Sequence, residues 1–457
     1  MSFEHGIQPD GLALEYDNDV VQFQSDHPEW GIDKDVKHQR TDRTDVFFTS
    51  NDQNKYTPRA ILIDLEPSVI NRATSDMPMF NPRNIHMSAT GSGAANNWKR
   101  GYDYGREHEE ELINLIDREI DKCDNLSAFQ LFHSVAGGTG SGVGSLLLEI
   151  LNDRYGSKKI LSTFLVFPSS DKTSDVVVQP YNTVLTLKRL IDFSDATFVF
   201  DNDSLNSLEA TFMGSNPNRG TSLKTAFESA NKLISFVACG ITNPLRFPSY
   251  MYSSYESIVS TLVPTPDLKF LSSAIAPHSQ IPGVPLSQNY VSLNEYDIVL
   301  ELLNNKYKMN RTIENPKYIS MLDYVISDSV NQQEIWKGVT RALQRVEFVP
   351  WASSTIHVVN GRKSPFAPKD GISGLQISNN TSNIGLLTRT LRQYDLLAKR
   401  SAYLNYYTDS DDPSERLEIL EKFNESKETI LSVIDEYKQC TSMSYLEDDI
   451  LDEEMMS

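Results

Sequence analysis

The chain has 457 residues, 39% hydrophobic and 10% aromatic, and its 62 acidic residues outweigh 42 basic ones for a formal net charge of −20. That length accommodates two or three domains, and the acidic balance excludes a general nucleic-acid-binding surface, which needs basic side chains to displace counterions. Three widely spaced cysteines (Cys123, Cys239 and Cys440) exclude a disulfide framework or zinc site and fit a reducing cytosol. No apolar run reaches the roughly eighteen residues of a membrane span, and the opening "MSFEHGIQPDG" lacks a signal-peptide layout. Partners are expected to be proteins with basic patches, or a ligand that brings its own cation.

In chain order, residues 12–45 are polar without periodicity and read as a flexible insertion. From Thr57 the pattern changes. "RAILIDLEPSV" reads as a short buried strand ending in acids, and "REHEEELINLIDREIDKC" as a helix with Leu112, Leu115, Ile116 and Ile120 at helical spacing. "FQLFHSV" is a second strand that runs into "AGGTGSGVGS", followed by the helix "LLLEILNDRY". "KILSTFLVFP" and "ATFVFDN" are a third and fourth strand, separated by the helix "YNTVLTLKRLIDF". Strands alternating with helices imply an α/β fold with a parallel sheet. "TSLKTAFESANKLISFVACGI" reads as a long helix. Residues 241–372 carry prolines, aromatics and short strand-like runs such as "STIHVVNGR", as in a second α+β domain. From Asn379 the chain is mostly helical, ending in "YLEDDILDEEMMS" with six acids between Glu447 and Glu454. The expected division is 1–220, 221–372 and 373–457, without internal repeats. The acidic end reads as a soluble tail, and Tyr445 beside it as an exposed candidate for phosphorylation.

Each of the four strands stops at a polar cluster: Asp64 and Glu66, the glycine loop, "SSDKTSDVVVQ", and Asp201–Asn202. In an open parallel sheet the ligand crevice lies at the carboxyl ends of the strands. Five glycines in ten residues can make a plain tight turn, or can let backbone N–H groups close on phosphate oxygens beside a helix N-terminus. The loop lacks a Walker lysine, and Thr139 and Ser141 set it apart from a dinucleotide fingerprint, so phosphate binding is the expectation. A second loop, "TGSGAANNWKRGY", has the same chemistry in Gly91, Gly93, Ala94, Ala95 and Asn96, and could cover a terminal phosphate. Asp64 and Glu66, two apart on a strand, share a face. Alone they would be a solvated pair, whereas beside a polyphosphate they can hold the hydration shell of a magnesium ion. Phe227 and Asn231, four apart on the long helix, share a face as well. Phe227 by itself reads as core, but the two together can stack on a base and bond its edge, with Asn202 as a second base-reading amide.

"AGGTGSGVGS" resembles the phosphate-loop signature of the tubulin family in its γ form, with Ala136 where the α and β forms carry another glycine. "YTPRAILIDLEPSVI", "LNDRY", "SDVVVQPYNTVLTLKRL", "RFPSYM", "LVPTPDLKFL" and "RKSPF" are similar to γ-type sequences in order and spacing. The resemblance runs from about Thr57 to the last helices and points to a fungal member. It implies that Ala136, Gly137, Gly138, Thr139, Gly140, Ser141 and Gly142 lie at the phosphates of GTP or GDP. Ala95 and Asn96 would close over the terminal phosphate, with Asp64 and Glu66 near Mg2+. Asp175 and Gln179 would sit at the ribose, and Asn202, Phe227 and Asn231 at the guanine.

Two departures accompany the resemblance. The family opens with a strand, a "GQCGNQ"-type loop and a helix upstream of "EHGIQPDG", so the chain reads as truncated by a central strand and the first phosphate loop, which puts tight GTP binding in question. In "PSYMYSSYESI", Tyr252 and Ser254 stand where assembling tubulins carry Asn and Asp, and Ser257 where the α form carries Glu. That exchange argues against stimulating hydrolysis in a neighbouring subunit, leaving at most weak GTPase activity. The resemblance implies a GTP-binding template for microtubule nucleation at the cytoplasmic microtubule-organising centre or spindle pole body. Its partners would be γ-tubulin-complex scaffold proteins, α/β-tubulin heterodimers and lateral copies of itself. The competing readings are a self-polymerising GTPase, a nucleotide-free scaffold and a dinucleotide-dependent oxidoreductase.

Overall fold

The computed structural model describes residues 1–14, 42–51, 53–89, 91, 93–156, 158–169, 176–213, 223–248, 251–276, 294–311, 313, 315–327, 330–364, 366, 371–408 and 413–446. A hairpin pairs β1 (Phe48–Ser50) with β2 (Tyr56–Pro58), and β3 (Leu62–Asp64) pairs in parallel with β4 (Ile85–Met87). The central sheet contains β5 (Ala128–Ser134), β6 (Ile160–Phe167), β7 (Ala196–Asp201), β8 (Phe270–Ile275), β9 (Lys317–Ile326), β10 (Glu347–Phe348), β11 (His357–Gly361) and β12 (Ser373–Asn380). Its order is β10–β9–β12–β8–β7–β6–β5, with β11 also on β9. β5 to β8 are parallel neighbours, and β12 runs antiparallel to β8 and β9. β7 is buried at every position, as expected of a strand covered on both faces.

The helices that periodicity predicts are present, and others that it did not single out lie between them. α1 is Pro67–Asp76, α2 Trp98–Glu107, α3 Glu109–Ile120, α4 Gly144–Tyr155, α5 Gln179–Phe193, α6 Asn202–Met213 and α7 Leu223–Ile241. Further on come α8 (Tyr255–Leu262), α9 (Gln332–Leu343), α10 (Asn383–Ala398) and α11 (Pro413–Gln439). α5 is the hub of the largest core. Tyr181, Val184, Leu187 and Leu190 on it are fully buried, in one cluster with Leu386, Leu387, Phe423 and Ile430 of α10 and α11.

Three expectations need correcting. The stretch "RAILIDLEPSV" is not a buried strand of the central sheet. β3 spans three half-buried residues and, among the described residues, pairs as a strand only with β4, while Ile61 and Ile63 reach the core through side chains packed with Leu112, Leu115 and Ile116. Among the described residues β5 is therefore an edge strand, paired on one side with β6. The stretch 12–45 is not flexible at its ends. Residues 15–41 lie outside the described residues, but the flanks are anchored, with Asp42 buried 2.5 Å from His5 and the Arg43 amide donating to the Arg246 carbonyl. Tyr445 is 8% exposed, stacked on Trp351 at 5.1 Å with its hydroxyl donating to Glu436, so it is not an exposed residue. The acidic tail from residue 447 lies outside the described residues.

Candidate nucleotide site

The glycine loop leaves β5 and enters α4 through a wide π-type turn at Thr139–Val143, a form that recurs at functional sites. Gly138, Ser141 and Gly142 are buried, while Gly137, Thr139 and Gly140 are partly exposed. A side chain at Gly137 would meet nothing within 4 Å, so that stretch of backbone faces open space. The amides of Gly137 and Gly138 donate to no protein acceptor among the described residues. Backbone donors without partners beside a helix N-terminus are what an anion requires. Ser141 differs from expectation. Its hydroxyl turns inward and donates to the Gly137 carbonyl, bracing the loop instead of facing a ligand.

The second loop is packed directly on the first. Asn97 starts α2 as its N-cap, its side chain accepting from the amides of Lys99 and Arg100. A Cβ on Gly138 would stand 2.6 Å from the Ala94 Cβ, and one on Gly101 would stand 2.2 Å from the Gly138 carbonyl oxygen. Only glycine at both positions permits this approach. Ala95 and Asn96 follow at φ 48° and 53°, two successive left-handed, exposed residues. Such a backbone costs energy and persists only where the surroundings hold it. Here the hold comes from Asn182 on α5, whose amide donates to the carbonyls of both Asn96 and Ala136.

The acids stand at the side of this cradle. Asp64 ends β3, and its Oδ1 accepts from the Glu66 amide at 3.1 Å. Glu66 lies beyond the strand at the cap of α1, where Pro67 occupies the first helical position. The two therefore do not share a strand face. The Glu66 side chain lies against Gly93, where an added Cβ would be 3.3 Å from its Oε1, so the exposed carboxylate adjoins the second loop. An exposed carboxylate and a half-buried one, both open to water, fit a hydrated magnesium ion better than a dry metal cage. Among the described residues no group of three or more His, Cys, Asp or Glu could hold an ion on its own.

Beneath the loop lies His133, on the strand face opposite to its neighbour Phe132. A Cβ on Gly144 would be 3.0 Å from its Nδ1, and burial pulls the imidazole down to about 4, so it is neutral at physiological pH. Gln179 opens α5, half-buried. Asn202 opens α6 directly after β7 and is also half-buried. Its neighbour Asp201 is fully buried and held by Arg389 at 3.0 Å. Phe227 and Asn231 lie four apart on α7. Asn231 is exposed and lines a cleft of about 520 Å³ with Phe132, His133, Ser134 and Phe164, while the side chain of Phe227 lies outside the described residues. Asp175 also lies outside them. Sequence reasoning missed Asn182, Asn97 and Tyr407. The only signal was an Asn two residues after a proline in "VVVQPYNTVL", which does not reveal what it touches.

At "PSYMYSSYESI" the structure gives the substituted residues structural occupations. Ser254 is the N-cap of α8 and accepts from the Ser257 amide, and the Ser257 hydroxyl returns 2.7 Å to the Ser254 carbonyl. Tyr252, at φ 57°, bonds His357 Nδ1 through its hydroxyl at 3.1 Å.

The parallel strands, the glycine turn into a helix and the second loop packed on it define an α/β protein with a backbone cradle suited to an anion. Comparison with known families narrows this. A model of the Tubulin/FtsZ family GTPase domain matches residues 7–209, and one of the Tubulin C-terminal domain matches residues 266–391. The "Tubulin gamma chain" of Candida albicans is 55% identical over 458 residues, covering 98% of this chain and 89% of the relative. Those of Eremothecium gossypii and Saccharomyces cerevisiae are 43% and 40% identical, each covering 99% of this chain and 90% and 91% of the relative. The chain belongs to the tubulin/FtsZ family, and its similarity to gamma chains extends over almost its whole length. A GTPase domain of this family implies guanine nucleotide as the ligand class. No helix among the described residues is long and apolar enough to cross a membrane.

Proposed function

We propose that this chain is a guanine-nucleotide-binding template for microtubule nucleation, working within a γ-tubulin-type complex at the microtubule-organising centre or spindle pole body. The observation that carries the reading is the double-loop cradle, in which the Gly137 and Gly138 amides lack protein acceptors among the described residues and the loops touch through glycine. Within it Gly137 to Gly142 would bind the phosphates of GTP or GDP, and Ala95 and Asn96 would cover the terminal one. Asp64 and Glu66 would hold water around Mg2+. Gln179 and Asp175 would position the ribose, and Asn202, Phe227 and Asn231 the base. The reading includes a nucleotide domain over 1–220, a core helix with an intermediate domain over 221–372, and a helical end from 373.

The family resemblance supplies the partners: scaffold proteins that hold several copies side by side, and α/β-tubulin heterodimers that add to the row. Nucleation is slow because early oligomers lose association entropy before enough contacts form. A row held in advance removes that cost. The uncharged Ser254 side chain, engaged as the N-cap of α8 at a position where assembling tubulins carry an acid, offers no carboxylate to a neighbouring subunit, which supports a template over a cycling subunit. The test has two readouts. Full-length chain purified with its complex partners and then denatured should release stoichiometric guanine nucleotide, and the complex should shorten the lag of α/β-tubulin assembly at substoichiometric amounts. A folded chain that releases none defeats the nucleotide part, and unchanged lag times defeat the template part.

A further inference from the structure

Asn182 is fully buried and uses every hydrogen-bonding position it has. Its Nδ2 donates to the carbonyls of Asn96 and Ala136, both at 2.8 Å. Its Oδ1 accepts from the Trp98 amide at 2.9 Å and from the Tyr407 hydroxyl at 2.6 Å. A primary carboxamide offers two donors and two acceptor lone pairs, so none remains unused. The four partners lie in three separate segments. Ala136 begins the glycine loop, Asn96 and Trp98 flank the start of α2 in the second loop, and Tyr407 lies in the turn after α10. That turn is tied again to the second loop, where Asn97 Nδ2 donates to the Tyr406 carbonyl.

We infer that Asn182 is a positioning residue of the nucleotide site. One side chain sets the separation of the two phosphate loops, and the Tyr407 hydroxyl sets the orientation of that side chain. The inference rests on the reading of these loops as phosphate-binding. No other residue type meets the pattern. Aspartate has the shape but no donor, and its oxygens would face two carbonyls. Serine falls short of the second loop, and glutamine is one methylene too long for a closed packing. The left-handed pair Ala95–Asn96 adds a reason, because the Asn96 carbonyl held by Asn182 belongs to the strained turn itself.

The test is equilibrium binding of GTP and of guanosine to the full-length chain, comparing wild type, Asn182→Asp and Tyr407→Phe. The loops would touch only the phosphates, so Asn182→Asp should weaken GTP roughly ten- to a hundredfold and leave guanosine within about threefold. Tyr407→Phe should weaken GTP by about fivefold, also without guanosine following. A folded Asn182→Asp protein that binds GTP like wild type overturns the inference, as does an equal loss for both ligands. Should that variant not fold, Tyr407→Phe decides: a GTP-to-guanosine affinity ratio equal to wild type overturns it. A folded wild-type chain that binds no GTP overturns the phosphate-binding reading itself, and the inference with it.

Discussion

Gly138→Ala tests whether the two loops are one structure. The added Cβ would stand 2.6 Å from the Ala94 Cβ, 2.8 Å from the Asn97 nitrogen and 3.0 Å from the Ala94 carbonyl oxygen. Carbon atoms in contact sit about 3.5–4.0 Å apart, so the loops must part by about 1 Å. The contacts are with Ala94 and backbone atoms, which have no flexible end to swing aside. Overpacking of this kind costs about 2 kcal/mol, or about 4–8 °C in Tm for a domain of the size matched by the GTPase model. Nucleotide binding must close the loops again, so the same energy should return as a loss of GTP affinity of about thirtyfold. Gly137→Ala, one residue earlier, meets nothing within 4 Å and should leave Tm unchanged. The assay is differential scanning of both variants without nucleotide, followed by equilibrium GTP binding. A Gly138→Ala protein as stable as wild type, or a Gly137→Ala protein destabilised as much, would refute the packing argument.

Asp323 on β9 is fully buried, and burial pushes its carboxyl up to about 7 although Gln376 Nε2 donates to it at 2.9 Å. The folded value exceeds the unfolded one, so its contribution to stability is intact at low pH and lost as pH rises from about 4 to about 7, by up to roughly 4 kcal/mol. Asp323→Asn should therefore gain on wild type in urea midpoint between pH 5 and pH 8, and parallel profiles would contradict this. Asp201, fully buried, is paired with Arg389 at 3.0 Å, and its pKa is raised by burial against the pull of that guanidinium. Arg389→Leu should cost about 3 kcal/mol by leaving the carboxylate unpaired, and adding Asp201→Asn should restore most of it in thermal melts. Ser254→Ala should cost about 1 kcal/mol through loss of the α8 cap, whereas Ser254→Asp retains the cap and should melt with wild type.

The sequence by itself carried the local and periodic information. Helical spacing at Leu112, Leu115, Ile116 and Ile120 predicts α3, and the continuous apolar runs of "KILSTFLVFP" and "ATFVFDN" predict β6 and β7, because burial of a repeating face is written in the order of residues. The glycine density of 136–145 marks the turn for the same reason, since only glycine accepts so close an approach of backbone. Hydrogen-bond partners distant in sequence were decided by the tertiary structure alone. Strand periodicity could not say that β3 pairs with β4 and leaves β5 at an edge among the described residues, because a three-residue strand looks the same whichever neighbour it finds. Tyr445 looks exposed beside acids until Trp351, 94 residues earlier, is found stacked on it. Asn182 shows the limit most clearly. Its four partners lie 46 to 225 positions away, and a buried amide is specified by what surrounds it in space, which no spacing along the chain records.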